Sequence, residues 1–201
     1  MTKQIIFATG NKGKIKEIEM ILADAGYEIR TMKEAGIAIH IVEDGKTYEE
    51  NALIKVRAVA AQPQAQGCIV MADDSGLEID ALNKEPGVYS ARYMGEDTPY
   101  SVKNAELIRR LEGVPDERRT ARFACAIAAK LPDGSEIVTK STIEGRIGYE
   151  EKGSNGFGYD PIFFYPPYGK HTAELTEEQK NEVSHRGKAL RLMKEELGKI
   201  Y

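Results

Sequence analysis

The sequence predicts an α/β protein with a mixed sheet and helices packed on it, and three observations carry that reading. A short apolar strand runs through a glycine-containing turn into an amphipathic helix, strand and helix patterns then alternate, and two long strand patterns are separated only around Pro132-Asp133-Gly134. The last is a hairpin, so the sheet cannot be purely parallel.

Gln4 to Ala8 is apolar enough to be buried on both faces and leads into Thr9-Gly10-Asn11-Lys12-Gly13-Lys14. Ile15, Ile18, Ile21 and Leu22 then recur at helical spacing, with Lys16, Glu17 and Glu19 on the other face. Tyr27 to Met32 reads as a second strand and Gly36 to Val42 as an extended stretch. Thr47-Tyr48-Glu49-Glu50 fits a capping box, Thr47 accepting from the Glu50 amide and Glu50 reaching back, ahead of a helix through Leu53, Val56 and Ala60. Cys68 to Ala72 is a short strand expected to stop at Asp73-Asp74-Ser75-Gly76, whose residue types favour turns. Ser101 to Leu111 reads as helix, Ala121 to Leu131 and Glu136 to Glu144 as the hairpin strands. The glycines and proline of Gly153 to Pro161 break both patterns, giving a loop with Phe157 and Tyr159 embedded in it. A second capping box pairs Thr176 with Gln179, and Ala189, Leu190, Met193 and Leu197 form an apolar stripe after Ser184.

The 201 residues, 41% hydrophobic and 30% charged, have the balance of one globular domain or two lobes sharing one core. A chain this long buries roughly 70% of the surface its unfolded form exposes, so it needs no disulfide or metal merely to stay folded. With 28 Lys plus Arg against 32 Asp plus Glu, the formal charge is -4, which argues against a dedicated nucleic-acid binder. No linker or repeat interrupts the chain, so residues 1–201 read as one continuous domain. The absence of a signal-peptide core and of about 18 consecutive apolar residues predicts a cytoplasmic protein with no membrane partner. Cys68 and Cys125 form no C-x-x-C pair and read as buried, reduced thiols. His40, His171 and His185 have no zinc spacing and no believable nucleophile partner.

Several segments have the residue types that chemistry needs. The turn from Thr9 to Lys14 is either a phosphate cradle, with glycines that let the backbone approach an anion, or a plain β-α turn in which Asn11 caps the helix. It is not a Walker A loop, because Gly10 and Gly13 are too close and Ile15 stands where Ser or Thr would hold a metal. Adjacent Asp73 and Asp74 suggest a hard-cation site or a turn, and Glu43 with Asp74 would suffice for magnesium, which takes one or two carboxylates plus water and phosphates. The loop around Phe157 and Tyr159 either presents a ring for a base to stack on or plugs the core with an aromatic in a tight turn.

F-A-T-G-N-K-G-K-I-K-E at Phe7 to Glu17, E-D-G-K-T-Y-E-E-N-A at Glu43 to Ala52 and M-A-D-D-S-G-L-E-I-D at Met71 to Asp80 occur in that order. P-G-V-Y-S-A-R-Y at Pro86 to Tyr93, G-F-G-Y-D-P at Gly156 to Pro161 and S-H-R-G at Ser184 to Gly187 follow. Each is weak alone; in this order and spacing, from Ile5 to about Leu197, the chain resembles the inosine triphosphate pyrophosphatase family. Asn155, Tyr48 and Val56 depart mildly from its pattern and remove no proposed functional group.

The resemblance implies an elongated mixed β-sheet flanked by helices, two lobes with a central substrate cleft, and a homodimer. It implies hydrolysis of ITP, dITP and XTP to the nucleoside monophosphate and pyrophosphate with Mg²⁺, which would cleanse the nucleotide pool. Position by position, it makes Thr9, Gly10, Asn11, Lys12, Gly13 and Lys14 the triphosphate segment, Glu43 and Asp74 the metal ligands, and Asp74 the proton acceptor. Lys14 joins Asp74 as a catalytic residue, and Lys55 and Asp73 fall near the phosphates and metal. Ser75 becomes a substrate contact, Phe157, Gly158, Tyr159 and Asp160 the base-stacking loop, and Lys180, His185 and Arg186 the purine contacts. The competing readings are a Mg²⁺-dependent pyrophosphatase for other modified nucleotides and a nucleotide-binding regulator without catalysis.

Overall fold

The computed structural model describes residues 3–22 and 26–200, and of residues 3, 12 and 13 the backbone only. The chain begins with β1 (Lys3–Phe7), α1 (Lys12–Leu22) and β2 (Tyr27–Thr31), then α2 (Tyr48–Ala60) and β3 (Ile69–Ile79). It continues with α3 (Tyr100–Arg110), β4 (Thr120–Lys130) and β5 (Glu136–Ile147). Two short strands, β6 (Phe163–Tyr165) and β7 (Lys170–His171), precede α4 (Glu177–Val183) and α5 (His185–Ile200). Among the described residues these strands form a seven-stranded sheet in the order β2-β1-β3-β4-β5-β6-β7.

The sheet is mixed, as the sequence predicts. β1 pairs in parallel with both β2 and β3, each reached through a helix, while β5-β6 and β6-β7 are antiparallel. The turn between β4 and β5 closes on itself, Gly134 N donating to Leu131 O and Leu131 N to Ser135 O, which makes a hairpin of the two neighbouring strands.

The chain divides into two compact units. The first comprises 1–74, 125–141 and 186–201, the second 75–124 and 142–185, so β3, β4 and β5 contribute residues to both. In the first unit, strand alternation sends successive side chains into two different cores. Ile5, Phe7, Ile69, Met71, Cys125 and Ile127 pack with Ile18 and Leu22 of α1 and with Ala189, Leu190, Met193 and Leu197 of α5. Ile6, Ala8, Val70 and Ala72 pack instead with Ala52, Val56 and Val59 of α2. The α5 stripe read from the sequence is fully buried, and each such aliphatic side chain contributes roughly 1.5–3 kcal/mol.

In the second unit, Leu77 and Ile79 of β3 join Leu107 of α3, Phe123 of β4, Ile143 and Ile147 of β5, and Phe163 of β6. Buried Arg119 is satisfied by the carbonyls of Ile147, Leu111 and Gly148 at 2.9, 2.8 and 2.7 Å.

Three local expectations are corrected. β3 does not stop at Asp73 but runs through Asp73-Asp74-Ser75-Gly76 to Ile79. At the start of α2, Thr47 accepts from the Glu50 amide at 3.1 Å, but the Glu50 carboxylate reaches the amide of Lys46 at 2.6 Å, so the cap is shared with the preceding loop. Cys125 is buried, whereas Cys68 is only half-buried. The Thr176-Gln179 capping box is present in both directions.

Gly145 shows how closely the strands of the second unit approach. A Cβ there would stand 2.4 Å from the Phe164 carbonyl and 2.7 Å from the Phe163 ring. Gly145→Ala is therefore expected to destabilise the protein by about 1–3 kcal/mol. Urea denaturation checks this, and an unchanged midpoint would contradict it.

Candidate active site

The turn after β1 is built from its own side chains. Thr9 Oγ1 accepts from the Asn11 amide at 3.2 Å, and Asn11 Oδ1 accepts from the Lys14 amide at 3.2 Å, which caps α1. The helix-capping reading of Asn11 is therefore correct, and it leaves Gly10 and Asn11 exposed with open space where a Gly10 side chain would lie. The cap does not conflict with the phosphate-cradle reading, since anions bind at helix starts beside exposed glycines.

One turn into α1, the Lys14 ammonium lies 2.9 Å from Asp73 Oδ2. The same oxygen receives Arg186 Nε at 3.1 Å, and Arg186 Nη1 reaches Glu17 Oε2 at 2.5 Å. Glu17 and Lys14 come from α1, Arg186 from α5 and Asp73 from β3, the elements that share the first core. Burial opposes ionisation of Asp73, but the charges of Lys14, Arg186 and Lys55 outweigh it and hold the carboxyl well below its ordinary range. Burial likewise opposes the Arg186 charge, and Asp73 and Glu17 more than restore it. The neighbouring Cys125 thiol is pushed up to about 12, first by burial and then by Asp73, so it is not a nucleophile.

Asp74 points the other way, toward α2. Asn51 Nδ2 donates to Asp74 Oδ2 at 2.9 Å, and the Lys55 ammonium lies 3.7 Å from Asp74 Oδ1 and 2.9 Å from Glu43 Oε2. Here burial wins: it raises the Asp74 carboxyl above its ordinary value against the opposing pull of Lys55 and Asn51. The Lys55 ammonium is itself desolvated, yet Asp74, Asp73 and Glu43 raise its pKa. Glu43 and Asp74 thus both face the Lys55 ammonium. That donor set suits a small hard dication, whose remaining ligands are water and substrate phosphates. Among the described residues no group of three or more His, Cys, Asp and Glu gathers, so the chain itself offers two carboxylates.

The second unit holds a separate polar cluster. Asp160 accepts from the Phe157 amide at 2.8 Å and from Lys180 Nζ at 2.7 Å through Oδ2, and from Thr172 Oγ1 at 2.9 Å through Oδ1. Lys180 Nζ also sits 4.4 Å from the centre of the Phe157 ring. A side chain at Gly156, where φ is +73, would meet Asp160 Oδ2 at 2.3 Å, which is why glycine stands there. The His185 ring stacks on Phe123, centroids 4.9 Å apart and 14° between planes. Asp160, Lys180 and His185 line one small cavity with Thr172 and Ser184.

The residues expected at a site therefore gather in two places. Thr9, Gly10, Asn11, Lys14, Glu43, Lys55, Asp74 and Arg186 fall in the first unit, where Lys14 meets Arg186 at Asp73 and Glu43 meets Asp74 at Lys55. The side chain of Lys12 and the surroundings of Gly13 lie outside the described residues. Ser75, Phe157, Gly158, Tyr159, Asp160, Lys180 and His185 fall in the second.

Tyr159 is buried, edge-on to Tyr100 at 5.1 Å, and its hydroxyl donates to the Ser90 carbonyl at 2.7 Å. The Arg186 guanidinium, expected at the purine, meets Asp73 and Glu17 in the first unit. Sequence reasoning missed Asn51, Glu17 and Thr172. Asn51 carried a signal, since it precedes Lys55 by one helical turn and shares its face.

Arg186→Met takes a buried guanidinium from two carboxylates, while Asp73 keeps Lys14, and is expected to cost about 3–5 kcal/mol at neutral pH. The Asp73 carboxyl is depressed in the folded protein, so its contribution is present above the unfolded carboxyl pKa and lost as pH falls through the folded one. The gap between parent and variant in urea denaturation should therefore shrink below about pH 4; a gap independent of pH would contradict the pairing.

Residues 5–196 match the model of the Ham1 family. The chain is 46% identical over 188 residues to the dITP/XTP pyrophosphatase of Exiguobacterium sibiricum, covering 94% of this chain and 93% of that protein. It is 48% identical over 202 residues to that of Nitratidesulfovibrio vulgaris, covering 97% and 96%. Among solved structures, the Ham1 protein of Staphylococcus aureus superposes with a TM-score of 0.87 at 40% identity, over 99% of this chain and all of the other. The fold, the order of the motifs and nearly full-length identity agree: the chain belongs to the Ham1 family.

Proposed function

We propose that the chain is a nucleoside triphosphate pyrophosphatase that hydrolyses ITP, dITP and XTP to the nucleoside monophosphate and pyrophosphate. The names of its relatives support this substrate class, and one observation carries the chemistry. Asp74 and Glu43 are two carboxylates, from a strand and a loop, that flank the same Lys55 ammonium at 3.7 and 2.9 Å. Asp73, the neighbour of Asp74, is held ionised by Lys14 and Arg186 and is therefore a poor proton acceptor.

The cofactor in this reading is Mg²⁺, held by Glu43 and Asp74; when bound it neutralises phosphate oxygens and acidifies a water. Lys14, Lys55 and the backbone after Thr9 hold the β and γ phosphates. Water attacks the α-phosphorus, the bond from that phosphorus to the α-β bridging oxygen breaks, and pyrophosphate leaves with the bond's electron pair. In this reading Asp74 accepts the proton of the attacking water. Arg186 and Glu17 keep Asp73 ionised and fixed, so that Lys14 is anchored beside the phosphates.

Base selection falls to the second cluster. Hypoxanthine and xanthine present a carbonyl at C6 where adenine presents an amino group, so donors from Lys180 and His185 bond the former and face another donor in the latter. An unpaired buried donor costs about 1–3 kcal/mol, enough to reject ATP. Phe157 supplies the stacking ring, and Asp160 fixes both its backbone and Lys180. The same reading makes the protein a cytoplasmic homodimer with no nucleic-acid partner.

Pyrophosphate release with Mg²⁺ from ITP, dITP, XTP, GTP and ATP in parallel tests the proposal: the first three are expected to be hydrolysed preferentially. Equal rates on all five, or orthophosphate as product, would overturn it.

Asp74→Asn is expected to lose at least about 100-fold in turnover by removing the base. Because a raised carboxyl stabilises the fold only while protonated and costs stability once ionised, the variant should melt no lower than the parent at pH 7. Near-normal turnover would sink the assignment of Asp74.

A further inference from the structure

We propose that Asn51 is a positioning residue for the hydrolysis, clamping the loop that carries Glu43 to the carboxylate of Asp74; this rests on the pyrophosphatase reading. Asn51 is buried on α2 at 1% exposure, and both ends of its carboxamide are used. The Gly45 amide donates to Oδ1 at 2.9 Å, and Nδ2 donates to Asp74 Oδ2 at 2.9 Å. The orientation is not arbitrary: a backbone N–H can only donate, so the oxygen must face Gly45 and the amino group must face the carboxylate.

The consequence for Asp74 is directional. With Oδ2 held by Asn51, Oδ1 is the oxygen presented toward Lys55, on the side where Glu43 converges. The consequence for the loop is one of register. Glu43 lies two residues before Gly45, and a Cβ on Gly45 would stand 2.6 Å from Asn51 Oδ1, 2.8 Å from Glu50 Cβ and 2.9 Å from the Asn51 amide nitrogen. Only glycine lets the loop come close enough for this bond. The clamp continues into the helix start, where the Lys46 amide donates to Glu50 at 2.6 Å. Asn51 is thus the group that ties the two proposed metal carboxylates, from a loop and a strand, into one arrangement. Partners of this kind typically influence metal affinity or activity by about 10- to 100-fold.

Three variants separate positioning from packing, each checked for folding by circular dichroism and thermal melting. Asn51→Ala removes both bonds: kcat on ITP with Mg²⁺ should fall by about 10- to 100-fold with KM little changed. In the substrate-free protein, Mn²⁺ should raise its melting temperature less than it raises the parent's. Asn51→Asp keeps the acceptor for Gly45 but sets a carboxylate against Asp74, so kcat should fall as far while Mn²⁺ stabilises the protein at least as well as the parent.

Gly45→Ala disrupts the same clamp from the loop side, and combined with Asn51→Ala it should lower kcat no further than Asn51→Ala alone. Turnover retained in both Asn51 variants, a rise in KM with kcat unchanged, a Mn²⁺ shift in Asn51→Ala equal to the parent's, or additive losses in the double variant would each overturn the clamp. Failure of the parent to release pyrophosphate from ITP would overturn the underlying reading instead, and the substrate-free Mn²⁺ shifts would still decide the clamp.

Discussion

Alternation along β3 is the constraint on which the candidate site of the first unit depends. Two carboxylates on consecutive residues of a buried segment repel each other by several kcal/mol if they share one environment. A β-strand removes that conflict, because successive side chains leave opposite faces. Ile69 and Met71 enter the core under α1 and α5, Val70 and Ala72 the core under α2. The same parity carries Asp73 to Lys14 and Arg186, and Asp74 to Asn51 and Lys55. Two identical residues thereby acquire opposite properties, one held ionised and one raised toward neutrality. A divergence of this kind between neighbouring titratable groups separates an electrostatic anchor from a proton acceptor.

The two faces also differ in charge balance. On the Asp73 face, Lys14 and Arg186 meet Asp73 and Glu17, two cations against two anions, so the desolvation of each ion is offset by an opposite partner in hydrogen-bond contact. On the Asp74 face, the ion pairs of the described residues set Lys55 against both Glu43 and Asp74. The imbalance leaves room for added positive charge, and a divalent cation would reverse the local sign and make the face receptive to phosphates. A formal charge of -4 over the whole chain is then no obstacle to an anionic substrate, because the sign that matters is set at a few atoms.

Much of this was legible in the sequence where the cause is local. The β1-turn-α1 start, the Thr47 and Thr176 caps and the buried stripe on α5 each follow from residues within a turn or two of one another. Asp73-Asp74-Ser75-Gly76 was misleading because its residue types favour turns, yet β3 lies between β1 and β4, and Leu77 and Ile79 beyond the acidic pair are fully buried in a core of their own. Tertiary packing there overrides local propensity. The roles of Glu17, Asn51 and Thr172 were harder to read for a different reason: each acts through a partner distant in sequence, Glu17 with Arg186 across 169 positions, Asn51 with Asp74 across 23 and Thr172 with Asp160 across 12. The glycine-rich sequence around Tyr159 left a stacking ring and a core-plugging ring both open, and its burial with its hydroxyl on the Ser90 carbonyl matches the second.

The loop of the second unit follows the same logic by different means. Its glycines give it a high conformational entropy when unfolded, so a fixed shape has to be imposed by bonds rather than by propensity. Asp160 imposes it by taking the Phe157 amide, Lys180 and Thr172 on its two oxygens. Tyr159 anchors the loop through Ser90, and Asn104 of α3 donates to the Gly158 carbonyl at 3.3 Å. These bonds exist before any ligand arrives, so the ordering cost has already been met by the folded state, and a base that matches the Lys180 and His185 donors does not have to supply it. A base that mismatches them meets the same rigid arrangement and cannot relax it without breaking the Asp160 network. In the proposed reading, discrimination would be a property of the loop's fixed hydrogen bonds as much as of the groups that would touch the base.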